Sequence, residues 1–193
     1  MITFIAPAFN EKYSPLMFIG SMACQTNSNW KAIIFHNGSN PIMEDEVDMI
    51  IDKYDLNDKI SYFSSETNTS NWGTYNRKYC ISELVTTSHV IQTSIQDYWM
   101  PVAVEEISKH LDKDFIHWNS INHLFGYHGM LNSAPEPGRI DWGNFAIKTD
   151  IAKKVGIRYP REFTADGLFV KDCLQSGLVK TTTKLPQILT IHN

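Results

Sequence analysis

The stretch "VIQTSIQDYWMPVAVEEI" (residues 90–107) decides the fold, because it contains a complete passage from a strand to a helix. Its first residues form a short apolar run, and Pro101 opens a helix at a position where the missing N–H would have no partner. The polar turn between them, Ser94 to Asp97, is therefore expected at the carboxyl end of a strand. In open α/β sheets, ligands bind at that edge.

The same passage from strand to helix recurs upstream. Apolar runs predict strands at 2–6, 31–36, 59–64 and 89–93, and helical spacing predicts helices from Ser14-Pro15 onward, over 44–54 and over 71–85. Alternating strands and helices imply right-handed crossovers and a mostly parallel sheet. The apolar runs are continuous, as expected for strands that are covered on both faces.

Beyond Pro101 the pattern becomes mixed. A helix to about Leu111 is predicted to precede a strand at 114–121, a loop-like region at 122–140 and a strand at 142–148. A helix over 164–177, capped by Thr164, then leads to extended segments at 178–183 and 187–193. We predict one domain, 1–193, in which residues 1–100 bind a nucleotide and residues 101–193 shape the substrate site.

Composition narrows the functional classes. The chain of 193 residues is 42% hydrophobic and carries a formal net charge of -4, which argues against a general electrostatic grip on nucleic acid. Its three cysteines form neither a disulfide framework nor a zinc pattern, and each is expected to be a small buried core residue. The cysteines and the absence of a signal or membrane-spanning pattern favour a cytoplasmic protein. A peripheral membrane contact stays open.

The expected strand ends carry a polar and aromatic set that suits a nucleotide, with rings for stacking, Asn37 for a base edge and Arg77 near negative charge. Neither a GxGxxG pattern after the first strand nor a GxxxxGK[ST] pattern is present. A dinucleotide dehydrogenase and a P-loop enzyme are therefore disfavoured. A bound diphosphate would need a metal or side-chain cations to neutralise it.

Seven segments, in order, resemble a known family: "ITFIAPAFNE", "IIFHNGS", "NTSNWGTYNRK", "QTSIQDYWMP", "WGNFAIK", "FTADGLFV" and "LTIHN". They resemble the GT-A fold glycosyltransferases of the large family-2 type, over the whole chain. The resemblance implies an α/β fold with a Rossmann-like, mostly parallel sheet flanked by helices and a smaller mixed sheet on the acceptor side. It also implies transfer of a sugar from a nucleotide-diphosphate sugar to a hydroxyl acceptor.

The resemblance also implies roles for matching positions. Asp166 matches the catalytic base, with Glu162 as the backup, and Asp97 and His192 would hold the metal. The nucleotide-sugar pocket would be lined by Pro7, Ala8, Phe9, Asn10, Asn37, Asn71, Gly73, Arg77, Ser94, Gln96 and Asp97.

Three positions depart from the family pattern. Asn37 stands where an aspartate usually binds the base; an amide both donates and accepts, so UDP is favoured while other bases stay open. Ser94 and Gln96 occupy the two carboxylate positions of the metal turn. Because hard cations prefer charged oxygen ligands, a Mn²⁺ or Mg²⁺ ion is expected to bind weakly without the nucleotide, and its requirement is open.

The implied chemistry is single displacement with inversion, in which a carboxylate takes the proton of the attacking hydroxyl. The helix dipole would stabilise ionised Asp166 in the first turn. The alternative function is a catalytically weak module that binds a nucleotide sugar. Two of these residues also have structural roles as alternatives. Asp166 would then be an acid that helps to cap its helix, and Arg77 would be an ion-paired side chain. The sequence leaves the acceptor open among a glycan, a lipid-linked glycan, a protein and a modified base. It also leaves open whether the chain belongs to a larger polypeptide or an oligomer.

Overall fold

A nine-stranded sheet runs through the computed structural model, which describes residues 1–9, 15–37, 41–65, 73–122, 129–158 and 164–192. The strands are β1 (Ile2–Phe9), β2 (Trp30–Asn37), β3 (Ile60–Ser65), β4 (His89–Gln92), β5 (Tyr98–Trp99), β6 (Phe115–Asn122), β7 (Met130–Leu131), β8 (Phe145–Lys148) and β9 (Thr182–His192). The helices are α1 (Leu16–Ala23), α2 (Pro41–Lys53), α3 (Thr74–Tyr79), α4 (Ala103–Ser108), α5 (Thr149–Val155) and α6 (Ala165–Gln175).

The strand order is β3-β2-β1-β4-β8-β6-β9-β5, with β7 paired to β6. The first four strands are mutually parallel, as the alternating pattern predicts. The strands of the second half continue the same sheet in mixed orientation: β8 is antiparallel to β4 and β6, and β6 is parallel to β9. The predicted α/β architecture with a parallel part and a mixed part is confirmed.

Successive strand residues point to opposite faces, so the sheet has a core on each side. Phe4 packs on one face, where its ring meets Trp99 edge-on at a centroid distance of 4.8 Å. Ile5 packs on the other face, in a cluster that includes Phe145 of β8 and Phe169 of α6. This second face also carries α3, which brings a buried arginine against the sheet.

Some element boundaries differ from the predictions. The predicted helix over 71–85 is α3 followed by a π-helical turn at Cys80–Leu84, and its first residues lie outside the described part of the chain. The predicted strand at 142–148 begins with a 3-10 turn at Trp142–Asn144. The two extended segments at the end form the single strand β9.

Other details of the predictions are wrong. Thr164 occupies the position before α6 but makes no side-chain capping bond. Cys24 is exposed, because it follows the last turn of α1, while Cys80 and Cys173 are buried as expected. None of the helices in the described part of the chain has the length and apolar character needed to cross a bilayer.

Asp114 holds together three segments at the start of β6. Its carboxylate accepts hydrogen bonds from Lys148 Nζ at 2.7 Å and from the backbone N–H groups of Lys180 and Thr181 at 2.7 and 2.9 Å. Burial alone would raise the pKa of Asp114, but these donors lower it to about 2. The ionised carboxylate therefore stabilises the junction of β6, β8 and β9.

We expect Asp114→Asn to lower the free energy of unfolding by about 2 kcal/mol at neutral pH, since hydrogen bonds to a charged acceptor are lost. The folded-state pKa lies below the unfolded value, so this contribution is present at neutral pH and is lost as the pH falls through about 2. Urea titrations of both proteins should show a difference that shrinks on acidification. Asp112→Asn, at an exposed acid two residues away, is the control and should change little. A constant difference down to pH 2 would contradict this account.

Candidate functional site

The polar turn after β4 is built around the carboxylate of Asp97, which is fully buried. Its Oδ2 accepts hydrogen bonds from the Thr93 hydroxyl at 2.6 Å and from the Ser94 N–H at 2.8 Å. The Asp97 N–H donates to the Ser94 carbonyl at 3.1 Å and closes the turn. Side chain and backbone thus fix the path of the chain between β4 and β5.

His192 reaches this turn because β9 runs beside β5. Tyr98 pairs with Ile191 and Trp99 with Thr190, so the next residue of β9 lies over Asp97. His192 Nδ1 donates to Asp97 Oδ1 at 2.7 Å. Burial alone would lower the pKa of His192, but Asp97, together with the charge of Asp141, raises it to about 9. The two residues form an ion pair at neutral pH.

Asp141 is a second acid at this site, and the sequence analysis did not identify it. Its Oδ2 lies 3.7 Å from His192 Nε2 and accepts a hydrogen bond from Asn122 Nδ2 at 3.2 Å. Asp141 and Asn144 form a capping box around the 3-10 turn, and the Asp141 N–H donates to Asn144 Oδ1 at 2.8 Å. The spacing of an aspartate three residues before an asparagine was the available signal.

Arg77 lies on α3, with 5% of its surface exposed. Its guanidinium sits over the ring of Trp142 at 5.3 Å. The Nε and Nη1 groups are buried and have no hydrogen-bond partner among the described residues. Burial lowers the pKa of Arg77 to about 10, against the charges of Asp97, Asp141 and Asp166, so the side chain remains cationic.

Asp166 lies in the first turn of α6, half-buried, and accepts a hydrogen bond from the Gly167 N–H at 2.6 Å. Burial and the nearby charge of Asp141 raise its pKa to about 7, while Gly167 and the charge of Arg77 act in the opposite direction. Gly167 lets α6 approach a neighbouring loop closely, since a Cβ there would lie 2.4 Å from Pro137 Cα. A carboxylate with this pKa can accept a proton near neutral pH.

The structure brings several predicted residues together. Asp97 and His192 are in direct contact, and Arg77 and Asp166 interact electrostatically. Gly73 packs against Pro7: it has a φ of +70°, and a Cβ there would lie 2.7 Å from Pro7 Cβ. Thus two predicted pocket residues from β1 and the start of α3 are neighbours.

The remaining predicted residues lie at strand ends, in the turn, or outside the described part of the chain. Ala8 and Asn37 are buried at the carboxyl ends of β1 and β2, and Ser94 and Gln96 are half-buried in the turn. The backbone of Phe9 pairs with that of Asn37 in the sheet. Asn10, Asn71, Glu162 and the side chain of Phe9 lie outside the described residues.

The donor set at the turn does not fit a divalent cation. Within the described ranges, no group of three or more histidine, cysteine or acidic side chains is arranged to hold a metal ion. Both oxygens of Asp97 accept hydrogen bonds, and its partner His192 donates to it. The adjacent oxygen donors, Ser94 and Gln96, are neutral, whereas Mg²⁺ and Mn²⁺ favour carboxylates.

No protein-family model and no curated protein matches this chain. Solved structures do match it. TarS of S. aureus superposes with a TM-score of 0.80 at 14% identity, covering 100% of this chain and 36% of TarS. The complex of S. aureus TarS 1-349 with UDP-GlcNAc gives 0.73 at 14% identity, covering 98% and 57%. The mannosyltransferase PcManGT of Pyrobaculum calidifontis, in complex with GDP-Man and Mn²⁺, gives 0.74 at 12% identity, covering 99% and 56%.

These similarities establish the fold. The chain has the GT-A glycosyltransferase fold that the seven sequence segments indicated. It spans less than two thirds of each of these structures, 36%, 57% and 56% of their lengths. The match extends over 98% or more of this chain, so it includes both the parallel and the mixed parts of the sheet.

The contact between Gly73 and Pro7 gives a prediction about the geometry of this edge. We expect Gly73→Ala to lower the free energy of unfolding by about 3 kcal/mol, because a left-handed backbone strain and a steric clash with Pro7 add together. Chemical denaturation measures this loss. Gly177→Ala is a matched control, since Gly177 has a φ of +71° and nothing within 4 Å of the added Cβ. The control should lose only about 1 kcal/mol; equal losses would contradict the close contact at residue 73.

Proposed function

We propose that this chain is a glycosyltransferase that moves a sugar from a nucleotide-diphosphate sugar to a hydroxyl acceptor with inversion of configuration. The observation that carries the proposal is the convergence of a proton-accepting carboxylate, Asp166, and a buried cation, Arg77, in one electrostatic cluster. The cluster lies in a chain with the GT-A fold. The named structural neighbours include complexes with UDP-GlcNAc and GDP-Man.

Asp166 is proposed as the general base. In a single displacement, the acceptor oxygen forms a bond to the anomeric carbon, the acceptor proton passes to the carboxylate, and the bond from that carbon to the diphosphate oxygen breaks. The raised pKa of Asp166 suits this task, because a base with a pKa near 7 is still ionised at working pH and binds a proton well. Glu162 remains the backup candidate.

Arg77 is proposed to face the leaving diphosphate. Its buried and unpartnered Nε and Nη1 groups would donate to phosphate oxygens, on which negative charge develops as the glycosidic bond breaks. The strand ends of β1 and β2, with Pro7, Ala8 and Asn37, would hold the nucleotide. We propose UDP as the nucleotide, because the Asn37 amide oxygen can accept a hydrogen bond from uracil N3–H.

Residues 101–193 are proposed to form the acceptor half, and residues 1–100 the nucleotide half. Asp166 belongs to the second half and Arg77 to the first, so the reacting carbon would lie between them. The acceptor class stays open among glycans, lipid-linked glycans, proteins and modified bases.

We expect Asp166→Asn to reduce sugar transfer or donor hydrolysis by about 10³-fold, since the base is removed while shape is kept. Release of UDP from a panel of UDP-sugars measures the reaction. Asp150→Asn is the matched control: Asp150 is an exposed acid in the first turn of α5, as Asp166 is in α6, and its variant should retain full activity. Nucleotide-sugar binding without turnover in the wild type would favour a binding module instead.

The pH dependence of kcat/KM should reveal the same carboxylate. Because a base must be ionised, activity should rise with pH through about 7. Asp141→Asn keeps the side-chain shape but removes a negative charge that raises the pKa of Asp166, so the rise should move to lower pH. An acid limb that is unchanged in Asp141→Asn would contradict the assignment of Asp166.

A further inference from the structure

We propose that donor binding by this chain needs no divalent cation: Asp97 and His192 form a structural brace, and Arg77 meets the charge of the donor diphosphate. This inference rests on the proposed glycosyltransferase function. It departs from the metal role that the sequence resemblance implied for Asp97 and His192.

Asp97 has little remaining capacity to coordinate a cation. A carboxylate offers about four acceptor positions. Asp97 uses three of them, for the Thr93 hydroxyl, the Ser94 N–H and His192 Nδ1, at 2.6, 2.8 and 2.7 Å. The residue has no exposed surface. The one remaining position is buried with the rest of the side chain, so a cation could reach it only by opening the turn or by displacing one of these donors.

The residues beside Asp97 in the turn add no negative charge for a cation. Ser94 and Gln96 contribute backbone N–H groups to the turn, to Asp97 Oδ2 and to Ser94 Oγ respectively. Their side chains bring no negative charge. A hard cation at this turn would therefore meet Asp97, whose oxygens already accept three hydrogen bonds, and Asp141, which lies beside His192 and accepts a hydrogen bond from Asn122. This is a weak ligand set.

The hydrogen bonds that hold Asp97 and His192 in place continue to neighbouring residues. The Thr93 hydroxyl that donates to Asp97 also accepts a hydrogen bond from Trp99 Nε1 at 3.1 Å. Thr190, the β9 residue paired with Trp99, accepts from Trp118 Nε1 at 3.0 Å and donates to the Gly143 carbonyl at 2.7 Å. The contacts of Asp97 thus connect β4, β5 and β9, which is the arrangement of a structural carboxylate.

Arg77 is placed to take the charge of a diphosphate. A buried guanidinium whose Nε and Nη1 groups lack partners carries a cost of desolvation that an anionic ligand would relieve. His192 Nδ1, by contrast, is already hydrogen-bonded to Asp97 at 2.7 Å. Arg77 has no carboxylate within salt-bridge distance among the described residues. Within the described part of the site, the guanidinium of Arg77 is therefore a cation available to phosphate oxygens, which it can bind through two parallel N–H groups.

The test is calorimetric titration of the full chain with UDP, once with EDTA and once with excess Mn²⁺, and the same with GDP. We expect affinities that differ by less than about threefold between the two conditions. Tightening of about tenfold or more by Mn²⁺ would overturn this inference and leave the proposed function standing. If neither nucleotide binds in either condition, the donor assignment fails, and this inference fails with it.

Variants separate the two roles. Arg77→Gln should weaken UDP binding by about tenfold or more in EDTA and in Mn²⁺ alike, and Arg77→Lys, which keeps the charge, should weaken it less. Arg139→Gln, at an exposed arginine paired with Glu136, is the control and should bind UDP normally. Unchanged UDP affinity in a folded Arg77→Gln variant would overturn the assignment of Arg77.

Asp97→Asn should lower the urea midpoint of unfolding equally in EDTA and in Mn²⁺. Stabilisation of the wild type by Mn²⁺ that is lost in Asp97→Asn would reveal a metal ligand and overturn the brace. Because this readout needs neither nucleotide nor activity, it tests the brace independently of the donor assignment.

Discussion

The buried carboxylate of Asp97 is the constraint on which this end of the molecule depends. An ionised group with no exposed surface is tolerated only when donors surround it, and here a hydroxyl, a backbone N–H and an imidazole do so. Those donors come from the end of β4, the following turn and the end of β9. The need to satisfy one charge therefore determines where three separate segments of the chain meet.

The pKa shifts at the site also arise from burial away from solvent. Burial disfavours the charged form of an ionisable group, but the pKa that results also depends on neighbouring charges and hydrogen bonds. Contact with Asp97 raises the pKa of His192, whereas burial and the charge of Asp141 raise the pKa of Asp166, against the Gly167 N–H and the charge of Arg77. Arg77 stays cationic among three acids. The two carboxylates thus have different surroundings: three hydrogen-bond donors contact Asp97, whereas Asp166 can exchange a proton near neutral pH.

Sequence reasoning predicted the parallel strands and the order of elements, because continuous apolar runs and helical periodicity are local signals. It missed β5 and β7, which have two residues each and therefore no periodic pattern. It also missed α5, which follows β8 directly without a turn signal. The candidate site was predicted through residue types, whereas the contact between Asp97 and His192 depends on strand pairing across 95 residues. The sequence did not indicate Asp141, because Asn122 and His192 are distant in sequence and contact it only in the folded chain.

The construction of the turn explains how a GT-A fold can exist without acids at Ser94 and Gln96. The turn is held by the Asp97 side chain and by backbone N–H groups of residues 94, 96 and 97, which donate to Asp97 Oδ2, to the Ser94 hydroxyl and to the Ser94 carbonyl respectively. A serine or an aspartate could supply the side-chain oxygen at residue 94 equally well. Residue 97 has no such freedom, because loss of its charge would leave three donors facing a site that no longer balances them. The turn therefore depends on the carboxylate at residue 97, whereas an uncharged oxygen is sufficient at residue 94.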